Sequence, residues 1–448
     1  MELPDFVSTD RARSRDISRF RPQHNITVPF MSSSRFPKLG LSHNSVLSDL
    51  QTMRDNDPPW YGPKMFIGGS YFGGEDVLKV SNKASRVYQN HNALYAGKTF
   101  HNLLQLEDDV VSACLDLLCA PSKGGGCLTS GGTESLLLVV MAAREWAKSK
   151  RPTPDKPEIL IPEAAHPGFD KAAHLMDLKP VRIQQSSEYR ADPAQLENSV
   201  TENTIMIIGS APSYPYGVTD PIIKIGEIAQ RHQLWCHIDA CHGGFILPFA
   251  RQLGRPIPDF DFTVSGVTSI SVDIHKLGYA NKGVSALLLD NADLQQYQRY
   301  SFSNWPAGLY STIGISGSRS AGGLASAWAV INHLGASGYR EIVSEILHAR
   351  DRLVEGITEI EELNVAGNPD SYLVAFTSDR LDILGIDDIM ADKGWVTSQL
   401  NRPPAIHLFL DRSNAMSIDS YLSDLGDATA AYRAGKRGNQ RDRHVYTR

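Results

Sequence analysis

The sequence is short of cysteine. Five occur in 448 residues: Cys114, Cys119, Cys127, Cys236 and Cys241. An odd number without paired CxxC spacing argues against a disulfide framework and against a zinc site, so no metal is expected. Such usage suits a reducing compartment, and the cytoplasm is the expected location. No apolar run reaches the length of about 18 residues that a membrane-spanning helix needs. An excess of basic charge is also missing. Lysine and arginine number 44 against 50 acidic residues, a net charge of −6, which argues against a nucleic-acid-binding body. Residues 1–21 are rich in Arg, Ser and Asp and lack an apolar core segment, so they do not read as a secretory signal.

What is present is an ordinary globular composition, 42% apolar and 21% charged, on a chain long enough for two cores. From Gly126 onward, apolar strand-like runs alternate with helical patterns. Strands are expected at Glu158–Ile161, Pro180–Ile183, Thr204–Gly209, Leu234–Ile238, Phe262–Val264 and Val284–Leu289, with helices such as Pro221–His232 between them. This alternation implies an α/β fold with a mostly parallel central sheet, covered on both faces, with sites at the carboxyl ends of its strands. Two long helices, Ala321–Leu334 and Tyr339–Ile360, are expected to break at Gly335–Gly338. A smaller α+β module follows, and its tail 433–448 is basic. The expected division is an N-terminal arm over 1–85, a large domain over 86–332 and a small C-terminal domain over 333–448.

Three stretches carry chemistry. Ser269–Asn281 is a β-branched strand that ends in Asp273-Ile274-His275-Lys276. A lysine just past a buried strand end is expected to lose its proton readily and to attack carbonyls. Thr129-Ser130-Gly131-Gly132-Thr133-Glu134-Ser135 joins a short strand to a long apolar helix. That geometry offers backbone amides to a phosphate, and the hydroxyls of Ser130, Thr133 and Ser135 can add donors. It is not a Walker motif, because the GxxxxGK[ST] spacing is absent. Leu234–Gly244 is an apolar strand ending in Asp239 before a glycine pair. A phosphate cup at Gly131, Gly132 and Thr133, an acid at Asp239 and an amine at Lys276 together fit one cofactor, pyridoxal 5′-phosphate (PLP). It needs a lysine for its aldehyde, an acid for its pyridine nitrogen and a cup for its phosphate.

With these stretches in place the chain resembles the sphingosine-1-phosphate lyase family, among the fold-type I PLP enzymes that include the group II amino-acid decarboxylases. The resemblance runs from about Gly68-Gly69-Ser70-Tyr71 to Pro404-Ala405-Ile406-His407 and takes in Ala165-His166, Ser213–Pro221, His237–Gly244, Asp273–Lys282 and Gly317-Ser318-Arg319. It implies the fold-type I PLP-dependent transferase fold and a homodimer, with the N-terminal arm clasping the second subunit. It implies PLP held covalently by Lys276, a pyridinium partner at Asp239, a ring stacked on the cofactor by His166 and a phosphate contact from His275. Gly317 and Ser318 would complete the cup from the second subunit. Tyr71, Asn92 and Lys282 match substrate-phosphate positions, and Tyr216 matches a proton-transfer position. The chain departs from the family at Asn92-Ala93-Leu94-Tyr95, where Tyr95 stands in place of a histidine.

The expected activity is carbon–carbon lysis, a retro-aldol cleavage of a phosphorylated β-hydroxy amine to an aldehyde and a phosphoethanolamine-type amine. The alternative is an amino-acid decarboxylase or a carbon–carbon bond-forming relative, with Arg319 or His407 meeting a substrate carboxylate.

Overall fold

The structure, a computed structural model, describes residues 36–37, 39–69, 71–150, 152 and 156–440. The arginine-rich stretch 11–21, Ser70 and the last part of the basic tail, 441–448, lie outside the described residues. The described residues fall into two compact units, one ending at Pro59 and one running from Trp60. In the first, helix α1 (His43–Asn56) is capped by the Ser42 hydroxyl, which accepts from the Ser45 amide. Its Leu47, Leu50 and Met53 are exposed.

The second unit opens with strand β1 (Met65–Phe66), helix α2 (Glu75–Tyr88) and helix α3 (His101–Leu117). Strands and helices then alternate: β2 (Gly125–Thr129), α4 (Gly132–Lys150), β3 (Glu158–Pro162), α5 (Gly168–Leu175), β4 (Lys179–Ile183), α6 (Pro193–Asn198), β5 (Thr204–Ser210), α7 (Ile222–His232), β6 (Trp235–Asp239), α8 (Leu247–Gln252), β7 (Ser269–Val272) and β8 (Ser285–Leu289). The strands form a seven-stranded sheet in the order β2-β8-β7-β6-β5-β3-β4. Strand β8 pairs antiparallel with both its neighbours, while β7, β6, β5, β3 and β4 pair in parallel. Strands β5, β6 and β7 are buried at every position, as a sheet covered on both faces requires. The expected strand at Phe262–Val264 does not form; that segment turns, and the strand begins at Ser269. Its apolar side chains pack as a loop: Phe262 sits against the core and donates its amide to Leu118.

The chain continues through a hairpin of β9 (Tyr300–Phe302) and β10 (Tyr310–Thr312) into α9 (Gly322–Glu359). This helix bends at Gly335, whose φ of 53° only glycine adopts cheaply; the break expected over four residues is one residue wide. Strands β11 (Asn364–Val365) and β12 (Leu373–Thr377), helix α10 (Ile383–Asp392), strands β13 (Val396–Asn401) and β14 (Pro404–Phe409) and helix α11 (Ile418–Arg433) complete the fold. The second sheet runs β1-β13-β14-β12-β11. Strand β1 thus pairs with β13 near the other end of the chain. Among the described residues, no helix is long and apolar enough to cross a membrane.

Candidate active site

The carboxyl ends of β5, β6 and β7 and the amino end of α4 surround a cavity of about 370 Å³. Ser130, Gly131, Gly132 and Thr133 line it from the β2–α4 turn, Asp239 from the end of β6, and His275 and Lys276 from beyond β7. Ligands gather at this edge because successive strand ends leave a crevice there and helix amino ends point amides into it.

Lys276 is the centre of the cavity's electrostatics. Its amine lies 2.8 Å from the Asp273 carboxylate and 2.7 Å from His242 Nε2. Burial pushes the amine toward neutrality, but Asp273 outweighs it and the lysine is held above its ordinary value. The expectation of a readily deprotonated lysine is therefore overturned: the buried counter-charge three residues earlier keeps an ammonium. Asp273 is buried as well, and Lys276, His275 and Ser285 hold it below the usual carboxylate range despite that burial. Ser285 donates to its Oδ1 at 2.5 Å.

Asp239 is 8% exposed. Its Oδ1 accepts from the Cys241 amide at 3.0 Å and from Ser271 Oγ at 3.4 Å. Cys241 is buried, and burial, Asp239 and Asp273 drive its thiol well above the ordinary range; it is a packing thiol, not a nucleophile. His166 also lines the cavity. Burial lowers its basicity, and Nδ1 accepts from the Gly168 amide at 3.0 Å, so a neutral ring is presented. His275 is pushed down to about 4, first by burial. Its Nδ1 accepts from the Val284 amide at 3.3 Å, which places the ring hydrogen on Nε2.

The cup differs in one detail from its reading in the sequence. Ser135 faces the interior and shares a 2.7 Å hydrogen bond with Thr129, so it adds no donor to the cavity. Glu134 reaches back to the Ser130 amide at 2.6 Å and also accepts from the Ile315 and Ser316 amides. It ties the cup to the segment before Gly317. A Cβ at Gly132 would lie 2.9 Å from Asp273 Oδ2 and 3.1 Å from Cys241 Sγ, so the tight turn requires glycine.

The other expected site residues are placed as follows. Lys282 stacks its amine 4.4 Å over the Tyr71 ring, and both feel the charge of Lys276. Burial of its base and the neighbouring Lys276 bring Lys282 down to about 8. Asn92 caps a short turn at Ala93–Tyr95 and bonds Ser318 Oγ at 2.8 Å. Asn92, Tyr95, Gly317 and Ser318 do not line the Lys276 cavity. Tyr216 does not reach it either. It is buried beside Tyr189, donates to the Arg402 carbonyl at 2.9 Å and receives Gln185 at 3.4 Å. Tyr214, two residues earlier, lines the cavity in its place. Arg319 and His407 are also absent from the lining; His407 is wholly buried on β14, beside Phe409.

Lining residues that escaped the sequence reading include His242, Ser210 and Tyr214. The Cys241-His242-Gly243-Gly244 turn follows Asp239 directly, and a histidine there was the available signal. Ser210 Oγ is buried without a hydrogen-bond partner, an orphan hydroxyl facing a ligand space.

These residues fit PLP. The cavity offers an amine, a carboxylate, a flat neutral ring, helix-end amides and an unsatisfied hydroxyl, the donor set that the cofactor's aldehyde, ring nitrogen, ring face, phosphate and phenolic oxygen call for.

Comparison with known proteins agrees. Residues 99–379 match the pyridoxal-dependent decarboxylase conserved domain. The chain is 40% identical over 409 residues to a sphingosine-1-phosphate lyase of Oryza sativa subsp. japonica, covering 90% of this chain and 75% of that protein. It is 33% identical over 311 residues to a probable L-tyrosine/L-aspartate decarboxylase of Methanothermobacter thermautotrophicus, covering 69% of this chain and 83% of that one. Among solved structures, the Burkholderia pseudomallei sphingosine-1-phosphate lyase superposes with a TM-score of 0.85 at 33% identity, over 89% of this chain and 94% of that one. A Lactobacillus brevis glutamate decarboxylase shares the fold, with a TM-score of 0.76 at 19% identity, over 89% and 94%. The chain belongs to the pyridoxal-dependent decarboxylase family and, within it, to the sphingosine-1-phosphate lyases; it is a PLP-dependent lyase of the fold-type I class.

Proposed function

We propose that the protein cleaves a phosphorylated β-hydroxy amine between the carbons bearing nitrogen and oxygen, releasing an aldehyde and a phosphoethanolamine-type amine. The observation that carries this reading is the single cavity holding Lys276, Asp239, His166 and the glycine cup. Bound PLP supplies an electron sink for the broken bond. The chain's own residues do the rest. Lys276 would hold the cofactor's aldehyde through its amine. Asp239 would keep a proton on the ring nitrogen, since an anion beside it favours the charged form. His166 would offer its flat ring to the cofactor. The α4 amides and His275 Nε2–H would hold the cofactor phosphate.

Tyr71 and Lys282 pack together, feel the charge of Lys276 and serve the substrate phosphate, Lys282 as a point charge. Asn92 and Tyr95, which do not line the chain's own cavity, serve that phosphate from a second subunit, and Gly317 with Ser318 completes the neighbouring cup. The working form is therefore a homodimer, and its place is the cytoplasm. The lyase reading is supported over the decarboxylase alternative by the 40% identity to a sphingosine-1-phosphate lyase over 90% of this chain. Tyr214 takes over the proton-transfer role first given to Tyr216. Incubation with a phosphorylated sphingoid base, followed by analysis of aldehyde and amine products, tests the reading. Release of carbon dioxide from amino acids without aldehyde formation would refute it.

A further inference from the structure

Glu134, on the first turn of α4, is a carboxylate only 7% exposed. Its partners are backbone amides. Oε2 accepts from Ser130 of the phosphate cup at 2.6 Å, and Oε1 accepts from Ile315 at 2.8 Å and Ser316 at 3.1 Å. No ion pair reaches it among the described residues. Burial works against its charge, but Ser130, Ser316 and Ile315 outweigh burial and hold the carboxyl below its ordinary value. The cofactor chemistry described above does not use this side chain.

Ile315 and Ser316 open a segment that is pinned at both ends. Asn92 holds the far end: it donates to Ser318 Oγ at 2.8 Å and accepts from the Arg319 amide at 3.2 Å, while the Ala93 amide donates to the Arg319 carbonyl at 2.9 Å. Between the pins, the Gly317 and Ser318 amides donate to no group among the described residues. A Cβ at Gly317 would meet nothing nearer than Tyr310 Oη at 3.9 Å. Two successive free amides therefore stand on a fixed and open stretch of backbone, a surface suited to an anion. Hydrogen-bond accounting makes Glu134 specific to this arrangement. A carboxylate accepts at both oxygens, so one side chain holds the cup and the segment together. Glutamine has an oxygen at one end and donors at the other, and it keeps only one of the two links. Aspartate keeps the charge but is one methylene too short to span both.

We propose that Glu134 is a positioning residue that joins each phosphate cup to the segment completing the second subunit's cup, and that the two cofactor sites of the dimer therefore fill cooperatively. The inference rests on the reading of the protein as a homodimer in which Gly317 and Ser318 complete the neighbouring cup. A phosphate in one cup fixes the turn at Ser130, and through Glu134 it fixes the backbone at Ile315 and Ser316. Gly317 and Ser318 then stand ready at the other cup. The first phosphate bears the cost of ordering, and the second enters a cup already set.

Titration of the cofactor-depleted full-length protein with PLP, followed by the visible band of the lysine-bound cofactor, tests this, with sedimentation reading the assembly throughout. In the unsubstituted dimer the second site is expected to bind PLP about fivefold or more tightly than the first, the lower end of the usual range for coupled sites. Glu134→Gln should remain a dimer and bind PLP at two equal sites. Pyridoxal, which lacks the phosphate, should fill equal sites in both proteins. Equal PLP sites in the unsubstituted dimer, cooperative filling by pyridoxal, or cooperativity retained in Glu134→Gln each overturn the proposal and leave the cofactor assignment standing. An unsubstituted protein that carries the band as a monomer overturns the dimer reading with it, and absence of the band overturns the cofactor reading as well. If Glu134→Gln does not fold or associate, Glu134→Asp decides the matter: equal PLP sites support the proposal and cooperative ones overturn it.

Discussion

The two halves of the site are built differently. The core of the cofactor half lies within one chain: glycine turn, acid, ring and amine all line one cavity at the strand ends. The substrate half is divided. Tyr71, Lys282, Asn92 and Tyr95 all lie outside that lining; Lys282 packs over the Tyr71 ring and both feel the charge of Lys276, whereas Tyr95 is 45% exposed. A rigid sheet edge fixes what every member of this fold needs. Loops at the margin carry what distinguishes one substrate from another.

Substitutions in the cofactor half should therefore cost most. Lys276→Ala is expected to abolish turnover and the cofactor's visible band. It should also destabilise the fold by about 3–5 kcal/mol, because Asp273 is left as a buried, unpaired charge. Urea titration of Lys276→Ala alone and with Asp273→Asn checks this: the second change should recover stability and no activity. Asp239→Asn should lower kcat on the order of 10²-fold or more with KM spared, read by steady-state kinetics, since a preorganised charge acts mainly on the transition state.

The substrate half should respond more mildly. Lys282→Ala is expected to raise KM for the phosphorylated substrate about tenfold. The same group sets a pH limit. Lys282 titrates at about 8, so phosphate binding should be full below that pH and weaken as the amine loses its proton above it. KM measured across pH 6.5–9.5 should rise in the unsubstituted protein and stay flat in Lys282→Ala. Smallest of all, Tyr95→Phe and Tyr216→Phe should each change kcat/KM less than threefold. A large loss at Tyr216 would return it to the mechanism and blur the boundary between the halves.

This division also explains what could be read from the sequence. Asp239, Lys276 and the glycine cup announce themselves because each follows a β-branched or apolar strand and precedes a glycine, a local pattern with one geometric outcome. The antiparallel insertion of β8 and the pairing of β1 with β13 leave no such mark, because register across a sheet is decided by distant partners. Tyr216 was misplaced for a similar reason. Tyr214 and Tyr216 flank a proline in one turn, and only the tertiary path settles which ring faces the cavity. The protonation of Lys276 was misjudged because burial was weighed without its counter-charge. Asp273 is visible three residues upstream, but a strand end alternates its side chains, and only the turn after Val272 brings carboxylate and amine together.

The pairing of Met65 with Val396 has a consequence in time. A ribosome adds about 5–20 residues per second. Strand β1 is therefore made and then held without its neighbour for roughly 15–65 seconds until β13 emerges. For that interval Met65 and Phe66, both buried in the finished protein, are an open apolar edge on a nascent chain. The second sheet closes only near the end of synthesis, so its vulnerability to premature association belongs to translation and not to the mature enzyme.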